Sequence, residues 1–491
     1  MSKAADARLI KNSLNLLRLA ICLLASVTLV SSLLAGNILV ANAEDNQTTP
    51  RVNVPYWRAG TPYPSHAVFW FGTVDYSHNY ADVRLIYGDT ELEVVVHIID
   101  RLLQYDTSPS KSDLISWDAV TLYIDTAGNS STSPGPSAYR FDAQLNWWEP
   151  REDWQNGYRG DGSAWVDSPI PFTTEAGWRG EGLNDNGDDK GWNIKFNIPF
   201  TSLGFSGAPS HGTIWGLAVA MHDRDSVSSA ALPDTIWPRQ MNTNIPATWG
   251  QIHFSVPVYI RPNALPVGNI IIRNATNGVS VMDGHVGGHT TCGDGLDHWG
   301  EWGEANYAGF EQINIQNQWD VSDYPCFSKF YVTFPSSNIP AGKVILSATL
   351  TMHLFGNSGG GSWGEPPESY IQVFSINEAW DENTLTWNNA PLAKENIAGT
   401  WVEPLETALE WPGIPYVWDV SRAVAEAYLS GTPVHLALYS ADGERHTGKY
   451  FSSSDTGDWN AVARPTLNVV WGDLCTTNTT CTFTYLPLAV R

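Results

Sequence analysis

The sequence predicts an all-β protein in two domains, each a sandwich or barrel. Three observations carry this. Short apolar runs recur between clusters of Gly, Pro, Asn and Asp. The run from Trp192 to Ile198 alternates apolar and polar residues, as a half-buried strand does. No convincing amphipathic helix stands between residues 67 and 255, and Pro257, Pro262 and Pro266 then separate that stretch from a second one of the same kind.

The chain begins with Lys3, Arg8, Lys11 and Arg18, followed by an apolar run from Leu19 to Leu34 and by Ala41-Asn42-Ala43. This is the layout of a secretory signal peptide over residues 1–43, with an uncleaved anchor as the alternative. The expected destination is outside the cell, secreted or attached to a surface. Residues 44–65 are polar and Pro-rich and read as a linker.

The first domain spans 66–256. Its expected strands include Glu91–Ile98, Ala119–Asp125, Trp192–Ile198 and Ile214–Ala220. A stiff connector covers 257–269. The second domain spans 270–472, with strands at Phe330–Phe334, Ala348–Leu354, Ile371–Phe374 and Thr466–Val470. One helix is expected from Ser421 to Leu429, capped by Asp419 and stopped by Gly431. Residues 473–491 form a Cys-containing tail. Outside the signal segment the cysteines are 292, 326, 475 and 481, so disulfides are expected, and neighbour pairing is the simplest of three connectivities.

Composition narrows the function. The chain has 51 acidic and 27 basic residues, a net charge of −24. Removing residues 1–43, with four basic and one acidic residue, leaves 50 against 23. Such a surface disfavours nucleic acid, and it repels polyanionic glycans unless calcium bridges them. The 23 Trp outnumber the 16 Phe, more than cores alone demand. Aromatic plates for flat ligands are one explanation.

Two resemblances sharpen this. The first domain resembles family-9 carbohydrate-binding modules, through Asn79–Arg84, Asp100-Arg101, Trp117–Val120, Tyr123–Thr126, Gly191-Trp192, Ile198–Phe200, Ala220–Asp225, Trp237-Pro238 and Thr248–Phe254. The second resembles the disaggregatase-related, family-96 type of module, through Trp380–Pro391, Ile339–Gly342, Ser347–Leu350, Trp418–Ser421 and Arg464–Leu467. Both resemblances imply jelly-roll-like β-sandwiches that bind sugars. The expected architecture is therefore two such sandwiches joined by a Pro-rich linker.

The family-9 resemblance implies a sugar gripped between two indole rings, for which Trp117 and Trp237 are the nearest residues, though neither is in perfect register. Trp117 alternatively plugs one end of the core. Arg140, Asp142 and Gln144 alternate along Tyr139–Leu145 and would face one way, either reading hydroxyls or forming a solvated face. Trp147, Trp148, Trp154, Tyr158 and Trp165 crowd beside that strand as a ligand wall or as local packing.

Asp185, Asp188 and Asp189 lie in an Asn/Asp-rich turn, which suits either structural Ca²⁺ or solvated charge. His285, His289, Cys292 and His298 suggest a transition-metal site, against which Cys292 has a disulfide to form. Glu378, Asp381 and Glu382 sit within the family-96-like stretch, where the resemblance gives them a structural role rather than the paired geometry of a glycosidase. The expectation is a secreted, non-catalytic protein that binds polysaccharide or cell-wall glycan, meeting no membrane beyond the signal segment. The alternatives are a structural or adhesive surface protein without sugar binding and, last, a hydrolytic component of a glycoside hydrolase system.

Overall fold

The computed structural model describes residues 49–58, 65–148, 150–293, 295–318, 320–359, 364–405, 410–443 and 446–475. The signal segment, Cys481 and nearly all of the tail lie outside these residues. Among them, no helix is long and apolar enough to cross a membrane.

The chain is all-β, as expected. Among the described residues the strands form three sheets of 13, five and six strands. The five-stranded sheet runs through Ala67–Gly72, Tyr80–Tyr87, Glu91–Ile99, Gly191–Pro199 and Thr173–Arg179. Its inner face packs on Val120, Leu122, Phe141, Leu217, Val219 and Ile252 of the large sheet, which closes the first sandwich. The six-stranded sheet, built around Val344–Asn357 and Thr466–Leu474, packs on Phe330, Val332, Ile371, Val373 and Leu436 at the other end of the large sheet. That closes the second sandwich. The helix Ser421–Ser430 forms where expected, and Gly431 ends it in the left-handed conformation at φ 68°.

The joins differ from the expectation. Arg51–Val54, inside the stretch read as linker, is a strand. It runs parallel to Gly250–Phe254 and pairs at Arg51 with Glu395, so one sheet continues from the first sandwich into the second. Val52 and Val54 are buried, and the Asn53 amide donates to Glu395 Oε1 at 2.8 Å. Four residues beside a proline are too short a run to show alternation. The second Pro-rich stretch is also only partly a connector. Ala264–Arg273 pairs with Thr466–Leu474, and the register shift between Pro266 and Gly268 absorbs the missing N–H.

A third apolar core lies between the sandwiches. Val68, Trp70 and Tyr80 of the first meet Tyr331, Phe374, Trp387 and Tyr439 of the second. Buried Lys329 sits within it, its ammonium 3.6 Å from the Trp387 ring centre and 4.7 Å from that of Trp70. The ammonium donates to the Tyr80 hydroxyl at 3.1 Å, and the hydroxyls of Tyr80 and Tyr439 donate to Asp82 at 2.7 and 2.8 Å. The Cys292–Cys326 disulfide forms as expected from neighbour pairing. Cys475 is also disulfide-bonded.

Candidate functional site

The strand Ala138–Gln144 sends Tyr139, Phe141 and Ala143 into the first core. Arg140, Asp142 and Gln144 therefore share the opposite face, as alternation requires. Arg140 grips Asp142 with two hydrogen bonds of 2.8 and 2.6 Å, and its guanidinium lies 4.7 Å over the Tyr158 ring. Asp142 also accepts from the Thr121 hydroxyl at 2.7 Å. Thr121 contacts His222 at 2.8 Å, and His222 contacts Asp234 at 2.7 Å. Gln144 is buried, its oxygen accepting from the Asp106 N–H and its nitrogen donating to the Leu114 carbonyl. Gln144 thus fastens the loop beside the strand, and the hydroxyl-reading role expected of it falls away. Asp142 is buried too and already engaged, which leaves Arg140 with Tyr158 as the accessible part of this row.

The expected indole pair does not form. Trp117 is half-buried at the edge, with the Arg224 guanidinium 4.3 Å over its ring. Trp237 is 1% exposed and lies in the first core, 4.0 Å from Phe69. Its strand, Thr235–Trp237, pairs Trp237 with Val219, a core position, so the ring points inward. Nothing of that ring is left for a ligand. Other aromatics occupy the outer face of the sheet: Trp249 and half-buried Trp165 are parallel within 6°, 6.3 Å apart, and both stand beside Tyr123. Gln155–Gly160 and Trp165–Asp167 are strands that extend the sheet beyond Ala138–Gln144, with Trp165–Asp167 at its edge.

Trp147 is open to solvent. It is 49% exposed, and Trp148, 48% exposed, stacks on it at 4.4 Å. Their base is hydrogen-bonded. The Trp148 N–H donates to the Asn146 side chain, and its indole N–H to the Tyr105 hydroxyl. Buried Arg151 beneath them donates to the carbonyls of Gln144 and Asn146. This is a flat apolar shelf of the kind that covers the C–H face of a sugar ring.

The second sandwich carries a shelf that the sequence reading missed. Trp411 and Trp459 are 54% and 67% exposed and meet edge to face at 4.9 Å. Phe355 extends it from Trp411 and touches Tyr450. Trp411 stands in a turn before Pro412-Gly413 and Trp459 in the short 3-10 helix Asp458–Ala463, where neither ring has a core to enter. The stretch Trp380–Pro391 behaves differently. Trp387 is buried in the third core, and Trp380, Asp381, Thr384, Leu385 and Asn389 line a cavity of about 370 Å³.

The carboxylates also sort by partner. Glu378 faces Arg239 at 3.3 Å, Asp381 accepts from the Asn383 N–H, and Glu382 lies beside Asp455, with burial first and that neighbour second raising its pKa. Cys292, being in a disulfide, is no metal ligand, and His285 stacks on Tyr307 at 4.5 Å.

Asp185, Asp188 and Asp189 do not converge as a ligand set. Asp185 accepts from the Gly187 N–H and Asp188 pairs with Arg101 at 2.9 Å. Asp189 accepts from the N–H groups of Leu103 and Gly182, while burial pushes its pKa up to about 6. These are turn-building contacts. Three other carboxylates do converge: Asp100, Asp118 and Asp223, all buried, each offer an oxygen within 4.8 Å of the others. That donor set suits a hard cation. Each stands at the end of a strand legible in the sequence, but nothing there brings the three together.

Residues 298–465 match the model of carbohydrate-binding module family 96. The match covers most of the second sandwich and supports sugar binding. No curated protein matches the chain. Among solved structures, a family-9 carbohydrate-binding module from Caldicellulosiruptor kristjanssonii in complex with cellotriose is similar at 16% identity, over 43% of this chain and 100% of that one, with a TM-score of 0.30. The same organism's module in complex with glucose is similar at 17% identity with the same coverage and TM-score.

Proposed function

We propose that this chain is an exported, non-catalytic protein that binds polysaccharide, holding one polymer at two aromatic shelves. The observation that carries the reading is the pair of exposed indole sets, Trp147–Trp148 and Trp411–Trp459, each seated on a β-sandwich. Covering an indole face with sugar C–H groups removes apolar area from water, while the edges stay open to a long chain. Two modest sites joined by a continuous sheet reach a polymer with high effective concentration. The acidic surface favours neutral glycans over polyanions. Export rests on the basic, apolar and small-residue order of residues 1–43 and agrees with the Cys292–Cys326 disulfide.

Affinity electrophoresis against a panel of soluble polysaccharides, with a reducing-sugar assay on the same samples, tests this. Retardation without sugar release is expected. Released oligosaccharide would make the chain an enzyme. Mobility unchanged by every polymer would leave a structural or adhesive protein instead.

A further inference from the structure

The loop within Trp380–Pro391 borders the cavity of about 370 Å³ lined by Ala379, Trp380, Asp381, Thr384, Leu385 and Asn389. That volume stands at the small end of the ligand-pocket range, where a sugar ring or two fit and a long polymer segment does not. Hydrogen bonds fix the loop in place. The Thr384 N–H donates to the Asp381 carbonyl at 3.1 Å, and the Ala390 N–H to the Thr386 carbonyl at 3.0 Å. The Asn389 side chain accepts from the Thr386 N–H and donates to the Thr384 carbonyl. Asn306 donates to the carbonyls of Glu382 and Leu385, and Asn388 to that of Val74 in the first sandwich. A wall held this way has little freedom left to lose on binding.

The acids of this stretch differ in their partners. Glu378 pairs with Arg239 at 3.3 Å. Glu382 accepts from the Gly309 N–H at 3.3 Å and has Asp455 beside it. Asp381 is the one of the three that lines the cavity, and among the described residues no basic side chain pairs with it. Its Oδ1 takes both Asn383 bonds, which leaves Oδ2 open. Half-buried Trp380 supplies an indole wall. Asn389 spends one amide N–H on Thr384 and keeps the other, and the Thr384 hydroxyl, donating to the Asp381 carbonyl at 3.3 Å, keeps its lone pairs.

An indole wall, an open carboxylate and a spare donor and acceptor call for a ring with a C–H face, hydroxyls and one positive charge. A neutral sugar would cover the Asp381 carboxylate without compensating it, whereas an ammonium group makes a charge-assisted hydrogen bond there and is also favoured beside an indole. The net charge of −24 draws cationic ligands to the chain. We propose that this cavity binds a hexosamine with a free amino group, alone or as the end unit of an amino-sugar polymer. Its ammonium pairs with Asp381, its C–H face covers Trp380, and its hydroxyls meet Asn389 and Thr384. The site is separate from both aromatic shelves, and the inference does not depend on them.

The test is calorimetry on the purified full chain, titrated with glucosamine to about 20 mM, for which one site with a dissociation constant of about 1 mM is expected. Glucose and N-acetylglucosamine, which carry no charge, should bind at least about tenfold more weakly. Asp381→Asn should weaken glucosamine binding by a similar factor. Raising NaCl from about 50 to about 500 mM should weaken it several-fold in the wild type and leave the residual binding of Asp381→Asn unchanged. Should Asp381→Asn fail to fold, the salt series and the N-acetylglucosamine comparison in the wild type decide. Glucosamine binding that survives Trp147→Ala/Trp148→Ala and Trp411→Ala/Trp459→Ala supports the proposal, and binding lost with either shelf overturns it. It is also overturned if the chain binds no glucosamine at that concentration, if the uncharged sugars bind as tightly, or if folded Asp381→Asn binds like wild type. Equal binding of Nα-acetyl-lysine amide would overturn the sugar assignment.

Discussion

Trp237 and Trp147 belong to the same sandwich and do opposite work. Trp237 fills the core against Phe69, whereas Trp147 stacks on Trp148 in solvent. The difference comes from where the chain turns. Trp237 lies on a strand paired to a core position, and Trp147 lies just past the end of one. Tryptophan-rich composition therefore marks neither class, and each indole has to be placed before it is given a role.

The widest separation between the classes is in stability. Trp237→Ala should cost about 3–5 kcal/mol in urea unfolding, while Trp147→Ala with Trp148→Ala should cost less than about 0.5 kcal/mol. Equal losses would erase the distinction. Lys329→Ala comes next. It empties the cage at the seam and removes the cation that most favours the charged form of Asp82, at about 3 kcal/mol, read by the same urea series. For the shelves the order reverses. The Trp147→Ala/Trp148→Ala chain should bind polysaccharide about 30-fold more weakly, near 2 kcal/mol, in affinity electrophoresis, with an unchanged melting temperature.

A smaller test uses pH. Asp283 is buried, and its pKa is pushed up to about 8, by burial first and then by Asp455 and Glu382. A carboxyl raised on folding contributes stability that is complete below the unfolded value near 3.8 and is lost as pH rises through 8. Asp283→Asn should therefore flatten the decline in stability between pH 4 and 8, by up to about 1.4 kcal/mol per pH unit. A variant with the wild-type slope would show that Asp283 ionises normally.

The strands were legible because alternation and punctuating turns repeat along the chain, and the helix because Gly431 marks its end. The joins were not. Arg51–Val54 gains its role only from Gly250–Phe254 and Glu395, far away in sequence. Trp237 was misplaced because the motif around it gives a position along the chain and not the direction of a ring. The turn at 184–189 drew attention by its density of Asp, while Asp100, Asp118 and Asp223 are isolated in sequence and meet only after two sheets have stacked. Partnerless oxygens, invisible in a sequence, separate the two sets.

The strand Arg51–Val54 also constrains assembly. Among the described residues it is the earliest strand to leave the ribosome, yet its Asn53 contacts Glu395, 342 positions later. The molecule cannot be finished from front to back like beads on a string. Gly250–Phe254 covers one edge of that strand, but the other waits bare until residue 395 has been made, so nascent chains halted between residues 254 and 395 should be the aggregation-prone ones.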